Sequence, residues 1–268
     1  MQTSDYLDRL RRLIADAPDG FDVASLQSAL SDAEAAAAAG ADHDRTKVWF
    51  LLDRSGSMQH LTHDLIGGFN QFLAEQQAKP GKARMSVVLF DGHDPFEVVV
   101  DAKRIGNVPE LTTSTYGARG VTPLYDALGT LIETADRRIA RRNESGRPAE
   151  DQLVLVFTDG LENASIRFDR ARVFEMVKER QDDGGWTFVF MGANQDSYST
   201  GGGLGFADGS VQDFAATPQS VRSSFAEFSR GTSSYRAKPR MQRHVENRVF
   251  FEGRKLAEEA LQDQDVDD

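Results

Sequence analysis

Short apolar runs alternate with amphipathic stretches over most of this chain. Continuous apolar runs such as residues 48–52 are typical of strands that are buried on both faces of a sheet. Stretches with apolar residues three or four positions apart are typical of helices that lie on such a sheet. Strands are predicted over residues 47–52, 84–90, 96–101, 152–158, 186–191 and 213–217. Helices are predicted over residues 60–78, 123–142, 169–182, 197–206 and 218–229.

The order of these elements predicts the fold. Strands that alternate with helices at this spacing form a doubly wound, mostly parallel central sheet with helices on both faces. The strands predicted over residues 84–90 and 96–101 are separated only by a short turn, so they form a hairpin and one of them is an antiparallel edge strand. We therefore expect an α/β, Rossmann-like domain over residues 46–232.

The segments on either side of this domain have a different character. Residues 1–45 are predicted to form an N-terminal helical arm and linker, which either packs on the domain or binds a partner. Residues 233–268 are treated as a C-terminal extension. Within it, the polar residues 233–242 indicate a loop or mobile segment, and residues 245–261 have a helical pattern. An acidic tail follows at residues 263–268, and we expect it to be disordered.

Composition and charge exclude several classes of function. The net charge of -11 disfavours non-specific binding to nucleic acid, because phosphate contacts need a basic surface. No apolar stretch is long enough to insert into and cross a membrane, and the N-terminus lacks the pattern of a secretory signal. The chain contains no cysteine, so disulfides and thiolate metal sites are excluded. We therefore expect a cytoplasmic protein.

Hydroxyl and carboxylate side chains follow two of the predicted strands. Asp53, Ser55 and Ser57 come directly after the first strand, Asp159 comes directly after the fourth, and Thr122 lies at the start of a helix. In open α/β sheets, ligands bind at the carboxyl ends of the strands. These side chains offer hard oxygen atoms and no nitrogen or sulfur, a set that suits Mg²⁺ or Mn²⁺.

Three motifs in this order resemble the von Willebrand factor type A (vWA) domain. They are Asp-x-Ser-x-Ser at residues 53–57, a single threonine at Thr122, and Thr-Asp-Gly at residues 158–160. The match is to the metal-ion-dependent adhesion site (MIDAS) of that family, with every position of the motif present.

The resemblance also implies how the site works. Ser55, Ser57 and Thr122 would supply oxygen atoms to the cation, and Asp53 and Asp159 would lie close by, often acting through water. One coordination position stays open for an Asp or Glu of a partner protein. Partner binding then depends on metal, and metal binding is favoured by the partner.

The implied function is a non-catalytic protein-interaction module of the prokaryotic intracellular type. Intracellular members of this family often work beside AAA-type ATPases as adaptors or in chelatase-like complexes, and some belong to stress-response or anti-phage gene clusters. Two rivals remain open: a metal-dependent hydrolase that uses the same cation on a phosphate, and a vWA scaffold with a non-functional metal site. A fourth reading needs no metal at all, with Ser55 and Ser57 capping the next helix and Asp159 serving a turn.

Three polar residues near the motifs are expected to have structural roles or to lie on the surface. Asn163 either orients the loop after Asp159 by hydrogen bonding or is an ordinary loop asparagine. We expect Glu162 to belong to the solvated surface. Asp126, one turn into a helix, suits the helix dipole and is not expected to be a metal ligand.

Overall fold

A computed structural model describes residues 45–193 and 197–251, together with the isolated positions 11, 12, 14, 15, 27 and 30. The predicted N-terminal arm therefore lies almost entirely outside the described residues. The acidic tail and most of the helix predicted over residues 245–261 lie outside them as well.

A six-stranded sheet forms the centre of the described part, with strand order β3-β2-β1-β4-β5-β6. The strands are β1 Arg45–Asp53, β2 Lys82–Phe90, β3 Glu97–Arg104, β4 Asp151–Thr158, β5 Trp186–Ala193 and β6 Val211–Phe214. β3 pairs antiparallel with β2 at one edge, and the other pairings are parallel. This confirms the predicted mostly parallel sheet with one antiparallel edge strand.

Helices cover both faces of the sheet. They are α1 Thr62–Gln77, α2 Leu124–Glu144, α3 Arg170–Asp182, α4 Ser197–Gly203, α5 Pro218–Ala237 and α6 Arg240–Val245. A 3₁₀ turn, Gly56–Leu61, precedes α1. Among the described residues, no helix combines the length and the apolar character of a membrane span.

The alternation of side chains along β1 explains how both faces are filled. Phe50 faces α1 and α5, where its ring packs against Phe69 at 5.4 Å and Phe225 at 5.9 Å between centroids. Leu51 faces the other way, into the cluster formed with α2 and α3 that includes Leu128. Because successive residues of a strand point to opposite faces, a central strand with helices on both sides must be apolar at every position.

The sheet register brings the ends of three strands together. Asp53 pairs with Phe90 across β1 and β2, and Leu52 pairs with Phe157 across β1 and β4. The residues just beyond these pairs are therefore neighbours at one edge of the sheet. This edge holds the loops in which the sequence motifs lie.

The C-terminal part of the described chain differs from the prediction. The expected loop or mobile segment over residues 233–242 is wrong, because α5 continues to Ala237 and α6 begins at Arg240. The polar residues there are satisfied inside the fold: Arg236 donates to the carbonyl oxygen of Gln76 at 2.7 Å. The division of the chain at residue 232 stays a prediction, although α5 runs through that position without a break.

Arg243 of α6 anchors this segment to the sheet. It is buried, and its Nη1 donates to Oδ2 of the buried Asp151 at 3.1 Å. Its Nε donates to the carbonyl oxygens of Tyr235 and Lys238 at 3.0 and 2.9 Å. The pair therefore holds the start of β4 and the ends of α5 and α6 in one network.

We expect Arg243→Met to lower the free energy of unfolding by about 2 kcal/mol, because Oδ2 of the buried Asp151 and the carbonyl oxygens of Tyr235 and Lys238 lose their hydrogen-bond donor, whereas Oδ1 of Asp151 keeps its ion pair with Arg240. Urea denaturation measures the change. The matched control is Arg137→Met, whose guanidinium is 62% exposed and lies 3.7 Å from Glu133. It should change stability by no more than about 0.5 kcal/mol. Equal effects of the two substitutions would contradict the anchoring role of Arg243.

Candidate functional site

The first side of the site is the turn that follows β1. Asp53 is the last residue of β1 and is fully buried. Its Oδ1 accepts a hydrogen bond from the backbone N–H of Ser55 at 2.6 Å, an arrangement that closes an Asx turn. Asp53 thereby sets the path of the loop that carries both serines.

A chain of hydrogen bonds joins this loop to the loop after β4. The hydroxyl oxygens of Ser55 and Ser57 lie 3.1 Å apart. The Ser57 hydroxyl donates to Oδ1 of Asp159 at 2.6 Å. Residues separated by 102 positions in sequence thus share one small polar cluster.

Thr122 approaches the cluster from the loop before α2. The position that a Cβ would occupy on Gly160 lies 2.8 Å from Oγ1 of Thr122 and 3.6 Å from Oδ2 of Asp53. Both oxygens are therefore close to the same point beside Gly160. A residue without a side chain is needed there, because any Cβ would displace the threonine hydroxyl.

The predicted residues therefore converge. We use the name oxygen cluster for the side-chain oxygens of Asp53, Ser55, Ser57, Thr122 and Asp159. Of these residues, Ser57 is exposed and the other four are buried. The cluster consequently opens to solvent on the side of Ser57. That these residues bind a metal ion stays a prediction.

Sequence reasoning missed two residues that hold Asp53. The hydroxyl of Thr158 donates to Oδ2 of Asp53 at 2.6 Å and accepts from the backbone N–H of Gly160 at 3.1 Å. The hydroxyl of Tyr116 donates to the carbonyl oxygen of Asp53 at 2.6 Å. Thr158 could have been found from its place in the Thr-Asp-Gly motif. Tyr116 comes from an irregular segment with no periodic signal.

Asn163 links two of the loops. Its Oδ1 accepts from the backbone N–H of Thr122 at 2.9 Å, and its own backbone N–H donates to the carbonyl oxygen of Thr122 at 3.1 Å. Asn163 is therefore not an ordinary loop asparagine, because its hydrogen bonds orient the loop after Asp159 against Thr122. It fixes where the Thr122 hydroxyl enters the cluster.

The expectation that Glu162 lies on a solvated surface is wrong. Its carboxylate accepts backbone N–H groups of Tyr125 at 2.9 Å, Ala164 at 2.8 Å and Ser165 at 2.7 Å. These donors belong to the first turn of α2 and to the loop after β4, where backbone N–H groups lack helical partners. Glu162 is therefore used to join the loop to the helix and is not directed at the oxygen cluster.

Asp126 has a similar structural use. Its carboxylate accepts the backbone N–H groups of Ile166, Arg167 and Phe168 at 2.8–2.9 Å. It is buried, and hydrogen bonds occupy both of its carboxylate oxygens. The loop after Asp159 is thus pinned to α2 at several points.

Asp91, which follows β2, belongs to a separate network of charged side chains and not to the oxygen cluster. It forms ion pairs with the buried Arg54 and with Arg119, the latter at 2.9 Å. Burial acts to raise the pKa of Asp91, but hydrogen bonds from Arg119 and from the backbone of His93 and Asp94 together hold that pKa below its usual value. Its charge is compensated by these partners, so it is not a candidate ligand.

The carboxylates of the oxygen cluster are in the opposite situation. Burial raises the pKa of Asp53 to about 6, against the opposing effect of the hydrogen bonds from Thr158 and Ser55. Burial also raises the pKa of Asp159, against the hydrogen bond from Ser57. Loss of solvent contact therefore outweighs the hydrogen bonds that favour the charged form of each carboxylate.

The chemistry of the cluster fits a hard divalent cation. Oδ2 of Asp159 is buried and has no hydrogen-bond partner, although buried carboxylate oxygens are normally paired. Within the described part of the chain, no group of three or more His, Cys, Asp or Glu side chains is placed to hold a metal. A cation at the cluster would thus depend on hydroxyl oxygens as well as carboxylates, a donor set that Mg²⁺ and Mn²⁺ accept.

Comparison with known protein families agrees with this geometry. The family model of the von Willebrand factor type A domain matches residues 47–201, more than half of the chain. The chain belongs to this family. The matched region runs from β1 to α4 and contains every residue of the oxygen cluster. A search of curated proteins found no match.

Solved structures with a similar fold are distant in sequence. The pilus adhesin SpaC from Lactobacillus rhamnosus GG, in its open conformation, is 13% identical with a TM-score of 0.54, covering 70% of this chain and 30% of its own. A von Willebrand factor type A protein from Catenulispora acidiphila is 17% identical with a TM-score of 0.46, covering 70% of this chain and 43% of its own.

Proximal thread matrix protein 1 from the mussel byssus, solved with a zinc-occupied MIDAS motif, is 15% identical with a TM-score of 0.47. That match covers 68% of this chain and 46% of the mussel protein. This vWA chain therefore spans less than half the length of each of these three structures. At these identities the similarity concerns the fold alone.

The contact between Gly160 and Thr122 generates a prediction for the vWA site. We expect Gly160→Ala to weaken Mg²⁺ or Mn²⁺ binding by about tenfold or more, because its Cβ would push the Thr122 hydroxyl out of position. Isothermal titration calorimetry measures the affinity. Gly185→Ala is the control, since its Cβ would meet nothing within 4 Å. Unchanged metal affinity in Gly160→Ala would show that Thr122 is not a ligand.

Proposed function

We propose that this vWA domain is a divalent-metal-dependent protein-interaction module with a functional MIDAS. In this proposal Asp53, Ser55, Ser57, Thr122 and Asp159 hold Mg²⁺ or Mn²⁺. A partner protein contributes an Asp or Glu to the same ion. The observation that carries the proposal is the buried, unpaired Oδ2 of Asp159 beside the hydroxyls that close the cluster.

The role of each cluster residue in the proposed site follows from its burial. The bound cation supplies a centre of positive charge that attracts a carboxylate. Asp53 is held by Thr158 and by the backbone of Ser55, so it orients the loop and lends negative charge from within the fold. Ser57 is exposed, and a partner carboxylate approaches from that side. In the proposed site, the two carboxylates of the chain do not fully compensate the positive charge of the ion. The ion therefore attracts a third carboxylate, from the partner.

The arrangement supports binding better than catalysis. A hydrolase needs a general base with a free acceptor directed at an attacking water. Both oxygens of Asp53 accept hydrogen bonds, and Oδ1 of Asp159 is taken by Ser57. The remaining oxygen, Oδ2 of Asp159, is the one assigned to the cation. The carboxylates of the cluster are therefore committed to holding and orienting groups.

The cellular setting is a second, coarser part of the proposal. We propose a cytoplasmic adaptor that works beside an AAA-type ATPase or in a stress or defence complex. Support comes from the family resemblance alone, because intracellular members of the family often work beside such ATPases. The acidic partner group is the part of this proposal that the site chemistry supports directly.

Metal binding has a measurable effect on stability. A cation at about 100 times its Kd should add about 2.7 kcal/mol to the folded state by mass action, which corresponds to a rise in Tm of roughly 5–10 °C for a domain of this size. Thermal melts with Mg²⁺ or Mn²⁺ against EDTA test this. Asp159→Asn should abolish the rise. Asp182→Asn, at a carboxylate that is 60% exposed, should retain it.

Comparison of the wild-type chain with Asp159→Asn distinguishes a functional metal site from a vWA scaffold with a non-functional site. A wild-type chain whose Tm does not respond to millimolar Mg²⁺ or Mn²⁺ would overturn the metal-dependent proposal and leave the reading in which the vWA domain is a scaffold. A response that persists in Asp159→Asn would place the cation elsewhere.

Partner capture is the second test. Proteins retained from native lysate by the immobilised chain in Mg²⁺ should be released by EDTA, and Ser55→Ala with Asp159→Asn should not retain them. Replacing the acidic residues of a captured partner with amides should abolish its binding. Mg²⁺-dependent turnover of a phosphate ester by wild type, lost in the same double variant, would instead establish the hydrolase.

A further inference from the structure

A groove with a volume of about 540 Å³ lies at the edge of the sheet opposite the oxygen cluster. Its walls are the first residues of β1 and β2, the end of β3 with the 3₁₀ turn that follows it, and the segment after α1. It is therefore formed by the amino-terminal ends of the parallel strands, whereas the vWA motifs lie at their carboxyl ends.

The groove is strongly basic in an acidic protein. Its lining includes the cationic residues Arg45, Lys79, Lys82, Arg84 and Arg104. The chain as a whole carries a net charge of -11. Positive charge concentrated at one place on a negatively charged protein attracts anionic groups over distances of about 10 Å at moderate salt. We call this lining the basic groove.

The acid in the described lining does not balance the charges of Lys79, Arg84 and Arg104. Among the described residues that line the groove, Glu150 is the only carboxylate. Its Oε2 is held by Arg138 at 2.9 Å and by Arg142 at 3.2 Å, both from α2. The charge of Glu150 therefore compensates Arg138 and Arg142 of α2, which are not part of the groove lining. Arg84 is fixed in the wall, because its Nη1 donates to the carbonyl oxygen of Ala102 at 2.7 Å.

The same chain carries a segment of matching charge. Residues 258–268 contain Glu258, Glu259, Asp263, Asp265, Asp267 and Asp268 and no Lys, Arg or His. We call this stretch the acidic segment. It lies outside the described residues.

The described chain stops close to the basic groove. A Cβ on Gly231 of α5 would lie 2.3 Å from the ring of Phe250, which places Phe250 against that turn of α5. Arg236, about 8 Å further along the same helix, donates to the carbonyl oxygens of Lys79 at 3.4 Å and Pro80 at 3.2 Å. Lys79 is a residue of the groove wall.

The connection is long enough to reach. Residues 252–268 have an extended span of about 56 Å, several times the distance that separates Phe250 from the end of α5. A segment tethered this closely meets its own binding surface at an effective concentration on the order of millimolar. Even weak, exposed ion pairs can then be occupied most of the time.

We propose that the acidic segment binds in the basic groove of the same molecule. The groove then serves as an internal docking surface on the side of the sheet away from the metal site. This inference is independent of the proposed function, since it involves neither the cation nor the acidic partner residue.

The absence of cysteine makes a direct test possible in the chain of 268 residues. Val266→Cys leaves the charge of the acidic segment unchanged and introduces a single thiol, which is labelled with a benzophenone photocrosslinker. After irradiation, mass spectrometry locates the crosslinked peptides. We expect most crosslinks within residues 79–84 and 104–107. Their yield should not depend on protein concentration, because the contact is intramolecular.

Charge variants supply the matched control. Lys79→Gln with Arg84→Gln and Arg104→Gln should lower the groove crosslinks roughly five- to tenfold, as expected when several exposed ion pairs are lost together. Arg137→Gln with Arg141→Gln and Arg172→Gln removes the same charge from exposed helix positions and should leave the yield unchanged. Lys79→Gln alone, at an exposed residue, should give a partial loss in a chain with wild-type Tm.

Raising NaCl from about 50 mM to about 500 mM should also suppress these crosslinks, since screening becomes much stronger over that range. Crosslinks concentrated in residues 1–44 or spread over the surface would overturn the proposal. A groove crosslink yield that is equal in the two triple variants would overturn it as well.

Discussion

The buried carboxylate of Asp53 is the constraint on which the site depends. It sits at the end of a strand that is covered on both faces, so it has no access to bulk water. The backbone N–H of Ser55 and the hydroxyl of Thr158 occupy its two oxygens, at 2.6 Å each. A carboxylate buried in this way is costly unless it is hydrogen-bonded and near positive charge. The loops around it are arranged to meet the first of these needs, and a cation bound beside it would meet the second.

Rigidity in the surrounding loops follows from backbone hydrogen bonds to side chains. Glu162, Asp126 and Asn163 accept backbone N–H groups that would otherwise lack partners at the start of α2 and in the loop after β4. Each of these bonds joins two loops or a loop to a helix. The hydroxyls of the oxygen cluster are consequently placed before any ligand arrives, and ordering costs are already met by the fold. A preorganised site of this kind binds more tightly than one that must form on binding.

The sequence predicted the sheet and the cluster well because both leave local patterns. β1 and β4 each contain a continuous run of five apolar residues, 48–52 and 153–157, and each functional oxygen lies close to a strand end or a helix start. The extension of α5 could not be predicted, because its last turns are polar and become buried only through contacts such as Arg236 with Gln76. Tyr116 was missed for the same reason. Its bond to Asp53 spans 63 positions and exists only in the assembled fold.

The distance in sequence between the two halves of the oxygen cluster has a consequence for when the cluster assembles during folding. Ser57 and Asp159 are 102 positions apart and meet only after β1 and β4 have paired in parallel. Parallel pairing between distant segments comes late and is slow, because a long loop must close first. A nascent polypeptide that has emerged only as far as α2 therefore lacks Asp159, one of the five residues of the oxygen cluster. Completion of the cluster consequently requires that the central strands have already reached their native order.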